Sequence, residues 1–266
     1  MLKKRVITTL WSIPLLIVVV WFDEPLQWFT VFVAVWGVLA AFEFFRMVGV
    51  TKVLPLTCFG LLWTLLFILS PTSDYTFLMP LLLTSAVVLS MLILVFLRQK
   101  EGAFARWAWT TGGILYVGLL LSYLVALRFD AGRNWVFLAL FVTFGSDTAA
   151  FFIGRALGRH RLAPRISPAK TWEGAIAGVL GAIIISLMFT LPTPLSLPLS
   201  YGQAILLGIL VSVFGQFGDL AESLLKRNMG IKESGTLMPG HGGLLDRMDS
   251  VVFAGVAVYY FFLFMP

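Results

Sequence analysis

Long apolar runs alternate with short polar interruptions along this chain, and the runs have the length that a bilayer demands. About 20 mostly apolar residues carry an α-helix across the hydrocarbon layer. Stretches of that kind fall at residues 6–22, 26–45, 53–70, 76–97, 108–127, 134–153, 172–191, 202–225 and 249–265, so the pattern predicts nine spanning helices. The breaks carry turn chemistry, as at Asp23-Glu24-Pro25, Ser70-Pro71-Thr72-Ser73-Asp74 and Pro192-Thr193-Pro194. The first run has the basic start and apolar stretch of a signal peptide, yet no small-x-small cleavage site precedes the acidic turn. It reads as a retained first helix.

Composition narrows the class. Of the 266 residues, 59% are hydrophobic and 12% charged, with a mean hydropathy of +0.96. Such a chain has too little polar surface to clothe a soluble globule. The 9 Trp and 24 Phe suit lipid and headgroup contact. The net charge of +6 implies no nucleic-acid partner, because the basic residues sit in short segments between apolar runs. With the N-terminus in the cytoplasm, 17 of the 19 Lys and Arg fall on that side, leaving only Arg128 and Arg133 outside; this supports both the orientation and the odd number of spans. The expected fold class is therefore an all-α polytopic membrane bundle of the cell (inner) membrane, N-terminus cytoplasmic. The one cysteine, Cys58, excludes an intrachain disulfide or a CxxC-type metal site and reads as a small buried apolar residue.

The two halves differ in chemistry. Residues 1–107 hold few ionisable groups and read as scaffold helices and candidate dimer contacts; there Glu43 and Arg46, at i, i+3, read as an intrahelical pair. Residues 108–266 read as the catalytic region, with Asp147, Glu173, Asp219, Glu222, Asp246 and Asp249 near the cytoplasmic ends of their helices. Carboxylates at such depth are costly and mark sites or pathways.

Three clusters carry the candidate chemistry. In the first, Asp219, Glu222 and Lys226 stand at i, i+3 and i+7, so two carboxylates and an ammonium share one helix face. In the second, Gly240, Gly242 and Gly243 surround His241; glycine backbone can approach a ligand closely and turn its N–H groups toward an anion. Asp246 and Asp249 follow, oxygen ligands suited to a hard cation such as Mg²⁺ beside phosphates. The third runs from Asp147 to Gly174, with Arg155, Arg159, Arg161 and Arg165 on a short connection. Its Ser167-Pro168-Ala169-Lys170-Thr171 segment feeds a helix: Pro168 stiffens the turn, Thr171 can cap, and Lys170 can reach an anion held there. Gly174, Gly178 and Gly181 read as close-packing positions. Acids for one or two metals, fixed cations and glycine backbone are the equipment of phosphoryl or nucleotidyl transfer.

The stretch Ser223-x-Leu225-Lys226-Arg227, four residues, Lys232-Glu233-x-Gly235, two residues, Met238-Pro239-x-His241-Gly242-Gly243-Leu244-x-Asp246-Arg247-Met248-Asp249 closely resembles the signature of phosphatidate cytidylyltransferases, also called CDP-diacylglycerol synthases. The region from Asp147 to Gly174 is similar to that family too, and the likeness covers the last 120 or so residues specifically. Glu233 stands where the family has Asp, and Ala169 where many relatives have a second lysine. The resemblance implies attack of a phosphatidic acid oxygen on the α-phosphorus of CTP, giving CDP-diacylglycerol and pyrophosphate. It implies that Asp219 and Asp246 hold Mg²⁺, with Glu222 and Asp249 beside them, the metal count and any monovalent cation being open. Lys170, Lys226, Arg227, Lys232 and Arg247 would neutralise phosphates, His241 would donate to one, and Ser167, Thr171, Gly242, Gly243, Asp147 and Glu173 would contact substrate. The rival readings are a polyprenol kinase or ether-lipid cytidylyltransferase and, from another class, a transporter of an anionic solute.

Overall fold

The computed structural model describes residues 14–22, 27–73, 75–96, 101–238 and 242–265. Residues 14–21 are helical, and residues 6–13 of the first expected span lie outside the described residues. Eight further helices follow: α1 (Trp28–Met47), α2 (Leu54–Leu69), α3 (Tyr75–Phe96), α4 (Ala103–Asp130, with a π-helical stretch at Ile114–Leu119), α5 (Arg133–Leu157), α6 (Trp172–Met188), α7 (Tyr201–Asn228) and α8 (Asp249–Phe264). Among the described residues, six helices are long and apolar enough to cross a membrane. The apolar helices α6 and α8 are shorter, at 17 and 16 residues. The chain is an all-α polytopic membrane protein, as its apolar runs predict.

The chain forms two compact units. One comprises residues 1–129 with 233–246, the other 130–232 with 247–266. In the first unit α1, α2 and α4 pack through small residues facing large rings. A side chain on Gly118 would stand 2.9 Å from the Thr64 Cα, so α4 meets the backbone of α2 directly, and fully buried Phe45, Phe67, Ile68 and Leu121 fill the remaining space. Cys58 corrects the sequence reading: it is exposed. An apolar solvent lets an apolar residue face outward without cost.

In the second unit α5, α6, α7 and α8 pack together. Gly174, Gly178 and Gly181 act as read from the sequence: a Cβ on Gly181 would come within 2.7 Å of the Ala149 Cβ, and one on Gly178 within 3.1 Å of the Ser146 hydroxyl. A polar thread joins three of these helices. Ser146 and Ser212 share a hydrogen bond of 2.7 Å, and the Gln216 amide donates to Ser212 at 3.0 Å and to the Ala175 carbonyl at 3.1 Å. Buried polar atoms need such partners in a low-dielectric interior.

Between α5 and α6 lies an element the apolar pattern does not reveal, an antiparallel hairpin of β1 (Arg161–Ala163) and β2 (Ser167–Thr171). Pro168 therefore sits in a strand rather than in the turn, which falls at residues 164–166. A two-stranded ribbon has only edge strands, and an edge tolerates the missing N–H of proline. Thr171 ends β2 and caps α6, its hydroxyl accepting from the Gly174 N–H at 3.1 Å.

Candidate active site

The second unit gathers most of the expected residues. Asp219 lies on the last third of α7, and its carboxylate is 2.8 Å from the Lys170 ammonium of β2. The Ser223 hydroxyl, one turn on, donates to the other Asp219 oxygen at 3.3 Å. A Cβ on Gly218 would run into the Asp249 carbonyl and lie 3.0 Å from the Phe253 ring, so the start of α8 presses against α7 beside Asp219. Asp147 of α5 completes the group: Ser250 hydrogen-bonds its carboxylate, and it lies in the field of Asp219 and Lys170. Asp249 in turn feels Asp219, Lys226 and Asp147. Three acids thus share one neighbourhood with two lysines.

Glu222 shares a helix face with Lys226, as the spacing implied. It is 1% exposed and turns into the interior, where its carboxylate meets the Lys226 ammonium at 3.1 Å. Arg227 reaches across to the hairpin, donating to the Ile166 carbonyl at 3.2 Å as well as to Ile231 at 3.2 Å. Glu173, in the first turn of α6, binds the His160 ring at 2.6 Å and receives the His160 backbone N–H. Lys232 and Arg247 are exposed, Ser167 half-buried and Thr171 buried.

In the first unit the loop from Glu233 to Asp246 is organised by acids. One Asp246 oxygen accepts the N–H of Gly243 at 2.8 Å and that of Ser234 at 3.0 Å. The anion to which the Gly243 N–H turns is therefore the chain's own carboxylate. Gly242 adopts φ +85°, a conformation only glycine takes without strain, and Glu233 packs beside it. His241 lies outside the described residues, as do Pro239 and Gly240.

Glu43 corrects the reading of an intrahelical pair with Arg46. It is 3% exposed and turns to this loop, accepting the Leu245 N–H at 3.1 Å and the Ser234 hydroxyl at 3.3 Å. Ser234 and Ser250 escaped the sequence reading, and Ser223 entered it only as the first position of the family signature; for Ser223 and Ser250 the available signal was their position four residues after Asp219 and directly after Asp249. Among the described residues no group of three or more His, Cys, Asp or Glu forms a ready cage for a metal ion.

Comparison with known proteins places this arrangement in a class. The model of the cytidylyltransferase family matches residues 3–265, so the chain belongs to that family and is a nucleotidyltransferase. It is 34% identical to a phosphatidate cytidylyltransferase of Bacillus subtilis, the match covering 97% of both chains. One of Staphylococcus haemolyticus is 36% identical over 71% of this chain and 72% of its own length. Another, of Brucella suis, is 41% identical over 64% of this chain and 61% of its own.

Proposed function

We propose that the protein transfers the cytidylyl group of CTP to phosphatidic acid, releasing pyrophosphate and forming CDP-diacylglycerol at the cytoplasmic face of the membrane. The single observation that carries this is the cluster of Asp219, Asp147 and Asp249 with Lys170 and Lys226 on apolar helices, in a chain whose relatives are named for that reaction. A phosphate-bearing lipid cannot leave the bilayer and a nucleotide cannot enter it, so a charged cluster on spanning helices suits both. The placement of 17 of 19 basic residues supports the cytoplasmic face.

In the proposed reaction a phosphatidate oxygen, already ionised at neutral pH, forms a bond to the α-phosphorus of CTP. The bond from that phosphorus to the bridging oxygen breaks, and the electron pair leaves with pyrophosphate. No strong base is needed. Lys170, Lys226, Arg227, Lys232 and Arg247 are assigned to the negative charge that spreads over the phosphates, His241 to a donated hydrogen bond, and Ser167, Thr171 and Gly242 to substrate contact. Asp246 shapes the glycine loop through Gly243.

The donor set fits a hard divalent ion, since carboxylate oxygens repelling one another call for a cation among them. Asp219 and Asp249 would hold Mg²⁺, with Asp147 in the same neighbourhood. Such an ion usually keeps one or two protein carboxylates and completes its shell with waters and substrate phosphates. When bound it supplies charge stabilisation to the phosphoryl oxygens.

The test is product identification by mass spectrometry, with a panel of lipid phosphates offered against all four nucleoside triphosphates. CDP-diacylglycerol and pyrophosphate from CTP and phosphatidic acid are expected. A nucleotide-linked product only from a polyprenyl phosphate, or solute flux with no product at all, overturns the reading.

A further inference from the structure

Helix α1 grips one peptide unit of the Glu233–Asp246 loop from both ends. Glu43 accepts the N–H of Leu245, and the indole of Trp36 donates, in a long hydrogen bond of 3.4 Å, to the carbonyl of Leu244. These two atoms belong to the same peptide group. Trp36 and Glu43 are seven residues apart, close to two turns, so both project from one face of the helix at levels about 10 Å apart. Loop backbone also closes on the carboxylate from two other positions, for a Cβ on Gly235 or on Gly243 would run into Glu43.

A second connection links Glu43 to Asp246. Ser234 gives its hydroxyl to Glu43 and its backbone N–H to Asp246, whose same oxygen holds Gly243. The second Glu43 oxygen, Oε1, is buried with no hydrogen-bond partner among the described residues. Burying a carboxylate that is only half satisfied works against folding. A neutral glutamine is cheaper to bury but holds the Leu245 N–H and the Ser234 hydroxyl more weakly than a charged carboxylate does, so the acid serves the grip on the loop rather than stability alone.

We infer that Glu43 is a positioning residue for catalysis: through Ser234 and the Leu244–Leu245 peptide it fixes Gly243 and the Asp246 carboxylate in the geometry the nucleotide meets. The inference rests on the proposed cytidylyl transfer for the role of that loop, but the anchoring itself does not. Asp246 touches the loop backbone directly; Glu43 acts through it.

The experiment compares wild type with Glu43→Gln, Glu43→Asp and Ser234→Ala in full-length protein reconstituted in lipid, reading CTP kinetics and amide hydrogen exchange together. Glu43→Gln keeps the volume and so guards against a variant that fails to fold. In Glu43→Gln, kcat/KM for CTP is expected to fall at least tenfold and the Gly243 and Leu245 amides to exchange at least tenfold faster. Exchange in α5 to α8 should stay unchanged, Ser234→Ala should follow at smaller amplitude, and Glu43→Asp should recover part of the activity. Unchanged loop exchange, faster exchange throughout the helices, or a loosened loop with normal kinetics would each overturn the inference. If wild type forms no product from CTP, the proposed function has failed instead, while the exchange data still decide whether Glu43 anchors the loop.

Discussion

The ammonium of Lys170 lies 2.8 Å from the carboxylate of Asp219, so the short strand β2 delivers a cation onto the acidic stretch of α7. Neither group is fully buried, so under the proposed function the pair would exchange for substrate phosphate on one side and a metal ion on the other. A pair of this exposure adds about 0–1 kcal/mol to stability, so its removal should be felt in the chemistry rather than in the fold.

Lys170→Met is accordingly expected to lower kcat/KM by about 100-fold while shifting the melting temperature by less than about 3 °C. Initial rates with CTP and phosphatidic acid, set beside a thermal melt in the same detergent, check both halves. A normal rate would remove Lys170 from the site.

Chelation should abolish turnover and Mg²⁺ should restore it. Asp219→Asn, which keeps the size of the side chain and its bond from Ser223, is expected to raise the Mg²⁺ concentration for half-maximal rate at least tenfold, judging by the role of a direct ligand. A titration of rate against free Mg²⁺ decides it, and an unchanged half-point would refute the ligand assignment.

The Glu222–Lys226 pair makes the opposite prediction. Both side chains are buried, so Glu222→Gln removes the ammonium's partner at 3.1 Å and breaks a buried ion pair, a loss of about 3–5 kcal/mol. Adding Lys226→Met should recover much of that stability and none of the activity, because Lys226 is assigned to the phosphates. Recovery of both in the double variant would make the pair purely structural.

Glycine substitutions separate packing from conformational cost. Gly218→Ala must push α7 from the Asp249 carbonyl, and a 1 Å displacement at a reacting centre can cost about 100-fold in rate. Gly112, inside α4, has nothing within 4 Å of an added Cβ, so Gly112→Ala should be neutral or stabilise by up to about 1 kcal/mol. Parallel assays and melts of the two variants test the contrast.

The helices were legible because hydrocarbon imposes a length, and a run of that length announces itself. The Thr171 cap was legible too, since threonine before an acid-bearing first turn is a local signal. Cys58 was misread for a reason particular to membranes: apolar character no longer implies burial once the surroundings are themselves apolar. Pro168 was placed in a turn because two short strands of mixed polarity carry little periodicity.

Asp219, Asp249 and Lys170, which the structure brings into one neighbourhood, could be named in advance through helix spacing and the family resemblance. Glu43 could not. Its partners Ser234 and Leu245 lie 191 and 202 positions away, and the nearby Arg46 offered a false local explanation. Long-range hydrogen bonds to backbone leave no trace in sequence spacing, because any residue supplies the N–H.

The hold of α1 on the Leu244–Leu245 peptide bears on how this enzyme can be taken apart. A fragment starting at residue 108 would keep every signature side chain yet lose Trp36 and Glu43, and with them the only described grip on that peptide's two polar atoms. Minimal versions built for screening or crystallisation should therefore retain α1.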